Sequence, residues 1–468
     1  MDTATAARAI AGTLSGANVD FFRVTTDSRL LQAGDLFVAL KGERFDGHDF
    51  VAQAFERGAT AAVVAADRAG ALAGRVAGSL LAVGDPLAAL GALAAFWRRR
   101  FALPVVAVVG SNGKTTVKEM AAAILRVELG GEHVLATAGN LNNQIGLPLT
   151  VLGLRSTHRA AAVEIGMNHP GETAALASIA QPTIAVINNA QREHQEFMKN
   201  VADVAAEHAA ALNELPHDGV AAINADDEFA AFWREVVGRR NAEGASISVR
   251  DFGLLAPAAI SARYRTEAWG SAIDVETPAG ATQIELAVPG RHNVSNALAA
   301  IACATAAGAS LVAVQSALSA FRAIAGRMEP KVAIGGAAII DDTYNANPDS
   351  VRAAIAVLGR AAGARWLALG DMGEVGDQGF AFHREIGEYA RAAGVDRVLS
   401  TGELAAHAVA AFGPGGKHFA SIDALIASLR TDLAAASPDV TLLVKGSRFM
   451  RMERVVEALS GTAADGGH

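Results

Sequence analysis

At 468 residues, 51% apolar and only 19% charged, the chain carries material for several buried cores, which excludes disorder over most of its length. A net charge of −8 offers no basic face to a phosphate backbone, so no nucleic-acid partner is expected. The most apolar stretch, Leu80 to Trp97, is broken by Asp85 and Pro86 and stopped by Arg98, Arg99 and Arg100; with no membrane span and no secretory signal in view, the expected location is the cytoplasm.

In chain order the expected elements make an α/β protein of three domains, 1–100, 101–325 and 326–468. The first mixes short β-like runs, Asp35 to Leu40 and Ala61 to Val64, with turn signals at Lys41-Gly42 and Asp46-Gly47, and Leu103-Pro104 closes it. From Val105 the runs VVAVV, AAAVEIG, TIAVINN and GVAAIN alternate with long helical patterns, the rhythm of buried parallel strands in βαβ units. Residues 255–290 instead alternate polar and apolar between glycine breaks and read as an antiparallel β-extension, followed by a helix from about Asn293. Cys303, alone in its kind and set in an apolar helical pattern, reads as a buried small residue and excludes an intramolecular disulfide framework. After Gly326 the βαβ rhythm restarts with AAIIDD, RWLALGD, RVLST and VTLLVKG, a second nucleotide-fold-like sheet. Two such sheets in tandem imply a crevice between them, and residues 461–468 read as a frayed tail.

One motif carries chemistry by itself. Gly110-Ser111-Asn112-Gly113-Lys114-Thr115-Thr116 follows VVAVV directly and opens a helical pattern, the context of a phosphate-binding loop. Backbone N–H groups and the helix N-terminus favour phosphate oxygens, Lys114 adds a cation on a loop expected to face solvent, and the Thr115 hydroxyl can ligate Mg²⁺. The general pattern has glycine where this chain has Val108, yet the Gly-Lys-Thr-Thr segment remains, so ATP or GTP is the expected ligand. Glu164 closes AAAVEIG and His194 follows TIAVINN, both at strand ends where an open α/β sheet binds its ligands. Glu164 suits Mg²⁺; taken alone, it is equally a solvated strand-end carboxylate, and His194 a surface histidine.

With these residues assembled, the sequence resembles the Mur ligase family, ATP-dependent amide-forming enzymes of peptidoglycan precursor synthesis. The resemblance spans nearly the whole chain: Thr26-Asp27-Ser28-Arg29 and Asp46-Gly47-His48; the phosphate loop; Thr137-Ala138-Gly139-Asn140-Leu141-Asn142-Asn143; Gly290-Arg291-His292-Asn293; Gly326-Arg327; Asp341 to Pro348; Leu369 to Glu374; and Val444 to Arg448. Within the family, Glu164-Ile165-Gly166-Met167-Asn168, Tyr344-Asn345-Ala346-Asn347-Pro348 and Gly370-Asp371-Met372-Gly373-Glu374 are similar to the member that adds D-alanyl-D-alanine to UDP-N-acetylmuramoyl-tripeptide. A related folate ligase chemistry would lack the first 100 residues.

The resemblance implies ATP and Mg²⁺ as cofactors, the UDP-tripeptide and the dipeptide as partners, an acyl-phosphate intermediate, and a monomer. It implies that Lys114, Glu164 and His194 are catalytic, with Thr115, Glu164 and His194 at the metal. Gly110, Ser111, Asn112, Gly113, Lys114, Thr115 and Thr116 would hold the phosphates; Asn293 and Asn296 the adenine; and Arg327 and Asp342 the phosphates and ribose from across the crevice. Ser28, Arg29, Asn140, Asn142 and Asn143 would meet the UDP-sugar substrate, and Lys445 and Ser447 the dipeptide carboxylate. One position departs from the family. Many members carry, about fourteen residues after the histidine matching His194, a lysine modified by CO₂ to a carbamate; here it is His208, and no lysine occurs between Lys199 and Lys331. His208 is therefore expected to be a hydrogen-bond donor outside the metal shell, or a helix-surface residue without a role, and activity to be independent of CO₂.

Overall fold

The computed structural model describes residues 1–460 except 268, 334 and 437; the tail 461–468, expected to fray, lies outside the described residues. Among the described residues the strands form three sheets, of five, nine and six strands. In the first, Arg23–Thr25, Asp35–Val38, Ala61–Ala65 and Ser79–Val83 run parallel, and Thr13–Ser15 pairs antiparallel to the last of them.

The central sheet is built on Val105–Val109, flanked in parallel by Ala160–Glu164 and Ile184–Ile187. All five residues of Val105–Val109 are at most 1% exposed, which is why the segment reads as an unbroken apolar run: helices cover both faces of the strand. Val108, where the general phosphate-loop pattern has glycine, pairs with Val186 and Glu164 and prolongs this strand. Val220–Asn224 and Ser248–Gly253 continue the parallel part, and Ile260–Glu267, Gly270–Thr277 and Gly280–Leu286 add the antiparallel extension expected for 255–290. The helix after it begins at Arg291, two residues before the expected start.

In the last sheet the order is Glu329–Val332, Ala338–Asp342, Val440–Lys445, Ala364–Leu369, Arg397–Thr401 and Gly416–Phe419. Both outer strands escape the sequence reading because they are short and polar, and Pro330 is tolerated at an edge that needs no donor from it. The first two sheets share one apolar core. Helix Pro86–Arg98 packs on Gly146–Leu152 and Glu172–Ala180, with Trp97 Nε1 donating to Leu154 O at 3.0 Å and Arg98 Nε to Ala180 O at 3.0 Å. The last sheet keeps its own apolar clusters, one on each face, and meets the central sheet through polar side chains around a cleft.

Candidate active site

The cleft encloses about 880 Å³ at the C-terminal ends of the central strands. Its floor is the loop between Val105–Val109 and helix Lys114–Leu129. Gly110 and Gly113 adopt φ of +137° and +84°, and a Cβ on Gly113 would strike the Asn296 amide, so the glycines are dictated by both backbone and space. Lys114 does not face solvent as expected: its side chain is 14% exposed and folds back over the loop. Its Nζ donates to Gly110 O at 2.6 Å, Ser111 O at 3.3 Å and Glu193 Oε2 at 3.3 Å.

At the next residue, Thr115 Oγ1 donates to Glu164 Oε2 at 2.8 Å, and Asn142 Nδ2 donates to Glu164 Oε1 at 2.7 Å. Glu164 is 3% exposed and both of these partners are neutral. A buried carboxylate and a hydroxyl in contact are hard oxygen donors, and Mg²⁺ commonly takes few protein ligands beside phosphate and water, so this pair fits the ion. His194 does not join it. Held at φ +49°, it turns Nδ1 to within 2.6 Å of Glu374 Oε2 and Nε2 to 3.6 Å from Glu193 Oε2. Among the described residues no group of three or more His, Cys, Asp or Glu side chains is placed to hold a metal. The expected set Thr115, Glu164 and His194 is thus split into a pair and a histidine committed to carboxylates. The His194 contact lowers the Glu374 pKa, against the opposing effect of burial.

Asparagines knit the nucleotide side of the cleft. Asn188, just past strand Ile184–Ile187, donates to Asn112 O at 2.7 Å and to Asn296 Oδ1 at 2.8 Å, and Asn296 Nδ2 donates to Asn293 Oδ1 at 3.1 Å. Asn293 lies inside its helix, whose N-cap is Gly290, and donates to Pro289 O at 2.8 Å. Arg327 lines the cleft with its guanidinium 3.9 Å from the centre of the Tyr344 ring. Asp342, at the end of its strand, accepts from Lys445 Nζ at 2.5 Å and from Met328 N at 3.1 Å. Lys445 also donates to Asn345 O at 2.9 Å, and Ser447 bridges Ala346 O at 3.0 Å and Gly373 N at 2.7 Å. Lys445 and Ser447, expected to receive a dipeptide carboxylate, are buried and brace the neighbouring loops, and Lys445 also lines the cleft.

Asn140, Asn142 and Asn143 all line the cleft, but only Asn140 has its side chain uncommitted by the bonds described: Asn142 holds Glu164, and Asn143 Oδ1 caps helix Gly146–Leu152 through Ile145 N at 3.1 Å and Gly146 N at 2.9 Å. Ser28 and Arg29 are not brought to the cleft. They form a short helical turn beside the first sheet, where the 83% exposed Arg29 side chain pairs with Asp27 at 2.7 Å.

Arg192 and Glu193 escaped the sequence reading as site residues, and Asn112 and His208, which it did single out, have partners it did not name. Arg192 crosses to the last domain, where its guanidinium meets Asp349 at 2.6 Å and Glu385 at 2.7 Å; Asn112 and Asn347 exchange amide hydrogen bonds at 3.3 and 2.9 Å. Glu193 is buried against Lys114, and His208 is 1% exposed with Nε2 donating to Glu193 Oε1 at 3.0 Å, so of its two expected readings it is the hydrogen-bond donor and not the helix-surface residue. Burial would raise the Glu193 pKa, but Lys114, His208 and His194 together hold it down to about 2. The available signal was a dense polar run, Gln191 to Glu196, directly after a buried strand.

Comparison with known proteins agrees with this architecture. The chain matches the Mur ligase family, catalytic domain, over 21–129, the Mur ligase middle domain over 108–304, and the Mur ligase, glutamate ligase domain, over 326–448. It is 42% identical over 448 residues, 96% of each chain, to the UDP-N-acetylmuramoyl-tripeptide–D-alanyl-D-alanine ligase of Escherichia coli strain K12. A crystal structure of MurF from Acinetobacter baumannii superposes with a TM-score of 0.88 at 32% identity, covering 98% of this chain and 99% of that one. MurF ligase from Thermotoga maritima, solved in complex with ADP, superposes with a TM-score of 0.79 at 26% identity, covering 93% and 96%. From its phosphate loop to its last strand, this chain belongs to the Mur ligase family.

Proposed function

We propose that the protein is an ADP-forming ligase that joins D-alanyl-D-alanine to UDP-N-acetylmuramoyl-tripeptide in cytoplasmic peptidoglycan precursor synthesis, acting as a monomer with ATP and Mg²⁺. The observation that carries the reading is the hydrogen-bonded pair of Thr115 and Glu164 beside Lys114, at the floor of a cleft whose far wall brings Arg327 and Asp342. The five-stranded first sheet, the feature expected to separate this chemistry from that of a folate ligase, supports it as well.

In this reading the tripeptide's terminal carboxylate attacks the γ-phosphorus of ATP, giving an acyl phosphate and ADP. The dipeptide amine then attacks the acyl carbon, loses a proton, and expels phosphate as the amide forms. The first step brings anions together, and the Lys114 ammonium and the backbone N–H groups of the loop offset their repulsion. Thr115 and Glu164 would hold Mg²⁺, which when bound supplies positive charge to the phosphate oxygens. Asn293 and Asn296 present amides to the adenine edge, Arg327 and Asp342 reach phosphate and ribose, and Asn140 faces the UDP-substrate, with Ser28 and Arg29 as more distant contacts to its uridine part. Contacts across the cleft from Arg192 and Asn112 exclude water from the acyl phosphate. Coupled measurement of ADP release tests the proposal: release should require the UDP-tripeptide, D-alanyl-D-alanine and Mg²⁺ together, and release from ATP alone at the same rate would refute it.

A further inference from the structure

Glu193 has no part in the mechanism above, yet it is a buried carboxylate facing the lysine of the phosphate loop. Burying a carboxylate is costly unless its charge is paired and its oxygens are bonded. Here each oxygen has its own partner: Oε2 accepts from Lys114 Nζ at 3.3 Å and Oε1 from His208 Nε2 at 3.0 Å. His208 sits on helix Val201–Asn213, 1% exposed, and its Nδ1 has no hydrogen-bond partner among the described residues. Because the carboxylate accepts, Nε2 of the ring carries a proton and donates it to Oε1. This donor fixes the direction of the carboxylate, whose other oxygen faces Lys114.

The ammonium group has three donors, and three acceptors converge on it: Gly110 O, Ser111 O and Glu193 Oε2. We propose that Glu193 and His208 are positioning residues for Lys114, with His208 orienting the Glu193 carboxylate and the carboxylate holding the ammonium at the mouth of the phosphate loop. The inference rests on the reading of this loop as the ATP site. A long, freely rotating stem is thereby held in one place before phosphate arrives, which serves a transition state whose charge develops at one point. The arrangement has an opposite effect on ground-state binding, because a fixed anion beside the lysine weakens its pull on ATP. Removing the charge of Glu193 should therefore lower turnover without weakening nucleotide binding, a pattern that loss of packing does not produce. No modification of the chain by CO₂ is needed for this anion.

The test uses the full chain and three variants, Glu193→Gln, His208→Gln and His208→Leu, with kcat and KM for ATP and Mg²⁺ from ADP release in the complete reaction. Calorimetry with the non-hydrolysable β,γ-imido analogue of ATP gives nucleotide affinity, and thermal unfolding reports integrity. Glu193→Gln should lose about tenfold or more in kcat, the usual cost of removing an orienting partner, while binding the analogue at least as tightly as the wild type. His208→Gln keeps an N–H near the position of Nε2 and should recover most of the kcat that His208→Leu loses; this pair carries the test if Glu193→Gln does not fold. Unchanged kcat in Glu193→Gln, or equal losses in both His208 variants, would overturn the proposal. So would a higher Mg²⁺ requirement at unchanged saturating kcat, which would put Glu193 on the metal instead. If the wild type releases no ADP in the complete reaction, it is the ligase assignment that fails, and analogue binding still reads the Lys114 site.

Discussion

Glu164 and Asp342 occupy the same topological place, the carboxyl end of a parallel strand, in two different sheets that face one cleft. Their partners differ. Glu164 is held by a hydroxyl and an amide, which orient it without neutralising it, whereas Asp342 lies 2.5 Å from the Lys445 ammonium, brought in by the neighbouring parallel strand. One carboxylate keeps a charge to offer a cation; the other is already satisfied and can only share its remaining lone pairs with a ligand hydroxyl. Topology therefore supplies the position, and the second-nearest chain segment decides the chemistry.

The largest expected effect is the loss of the cation of the phosphate loop. Lys114→Ala should reduce ADP release about 10³-fold or more, in the range seen when a transition-state donor is deleted, with the circular dichroism spectrum unchanged. Near-normal turnover would end the assignment of the phosphate loop.

The contrast itself is tested by two isosteric changes. Glu164→Gln keeps an acceptor for Thr115 and should leave unfolding by urea nearly unchanged while raising the Mg²⁺ needed for half-maximal rate and lowering kcat about 10²-fold. Asp342→Asn strands the buried Lys445 charge and should destabilise the protein by about 3–5 kcal/mol in the same urea titration. Were the two outcomes exchanged, the difference drawn between the carboxylates would be wrong.

A smaller effect is expected where the two sheets are tied together. Arg192→Met removes the ion pairs to Asp349 and Glu385, which are partly exposed, and should cost about 1 kcal/mol or less in stability. Its signature is instead faster proteolysis near residue 326 in the free protein, with protection restored by saturating substrates; cleavage equal to the wild type would show that Arg192 does not hold the cleft closed. The domain boundary proposed near residue 100 should resist cleavage in both, because helix Pro86–Arg98 shares its core with the central helices. Smallest of all, removal of CO₂ from the buffer should change nothing. A fall in activity rescued by bicarbonate would require a modified lysine that the position of His208 does not provide.

Much of this was written in local pattern. Unbroken apolar runs are what strands covered on both faces need, so the central and last sheets were legible; polar–apolar alternation marked the antiparallel extension, and glycines at positive φ with a following lysine marked the phosphate loop. Edge strands such as Glu329–Val332 were not legible, because they are short and mostly polar and leave too few apolar positions to show a period. Roles that depend on a partner far along the chain were not legible either. Nothing near Ser447 in sequence says that its hydroxyl is spent on Ala346 and Gly373, nothing near Lys445 says that its charge belongs to Asp342, and nothing near His208 says that it will be buried against Glu193. Secondary structure follows from the periodicity with which neighbours meet one core, and a sequence carries that directly. The charge state and freedom of a side chain follow from which groups surround it in three dimensions, and only the packing of separate segments decides that.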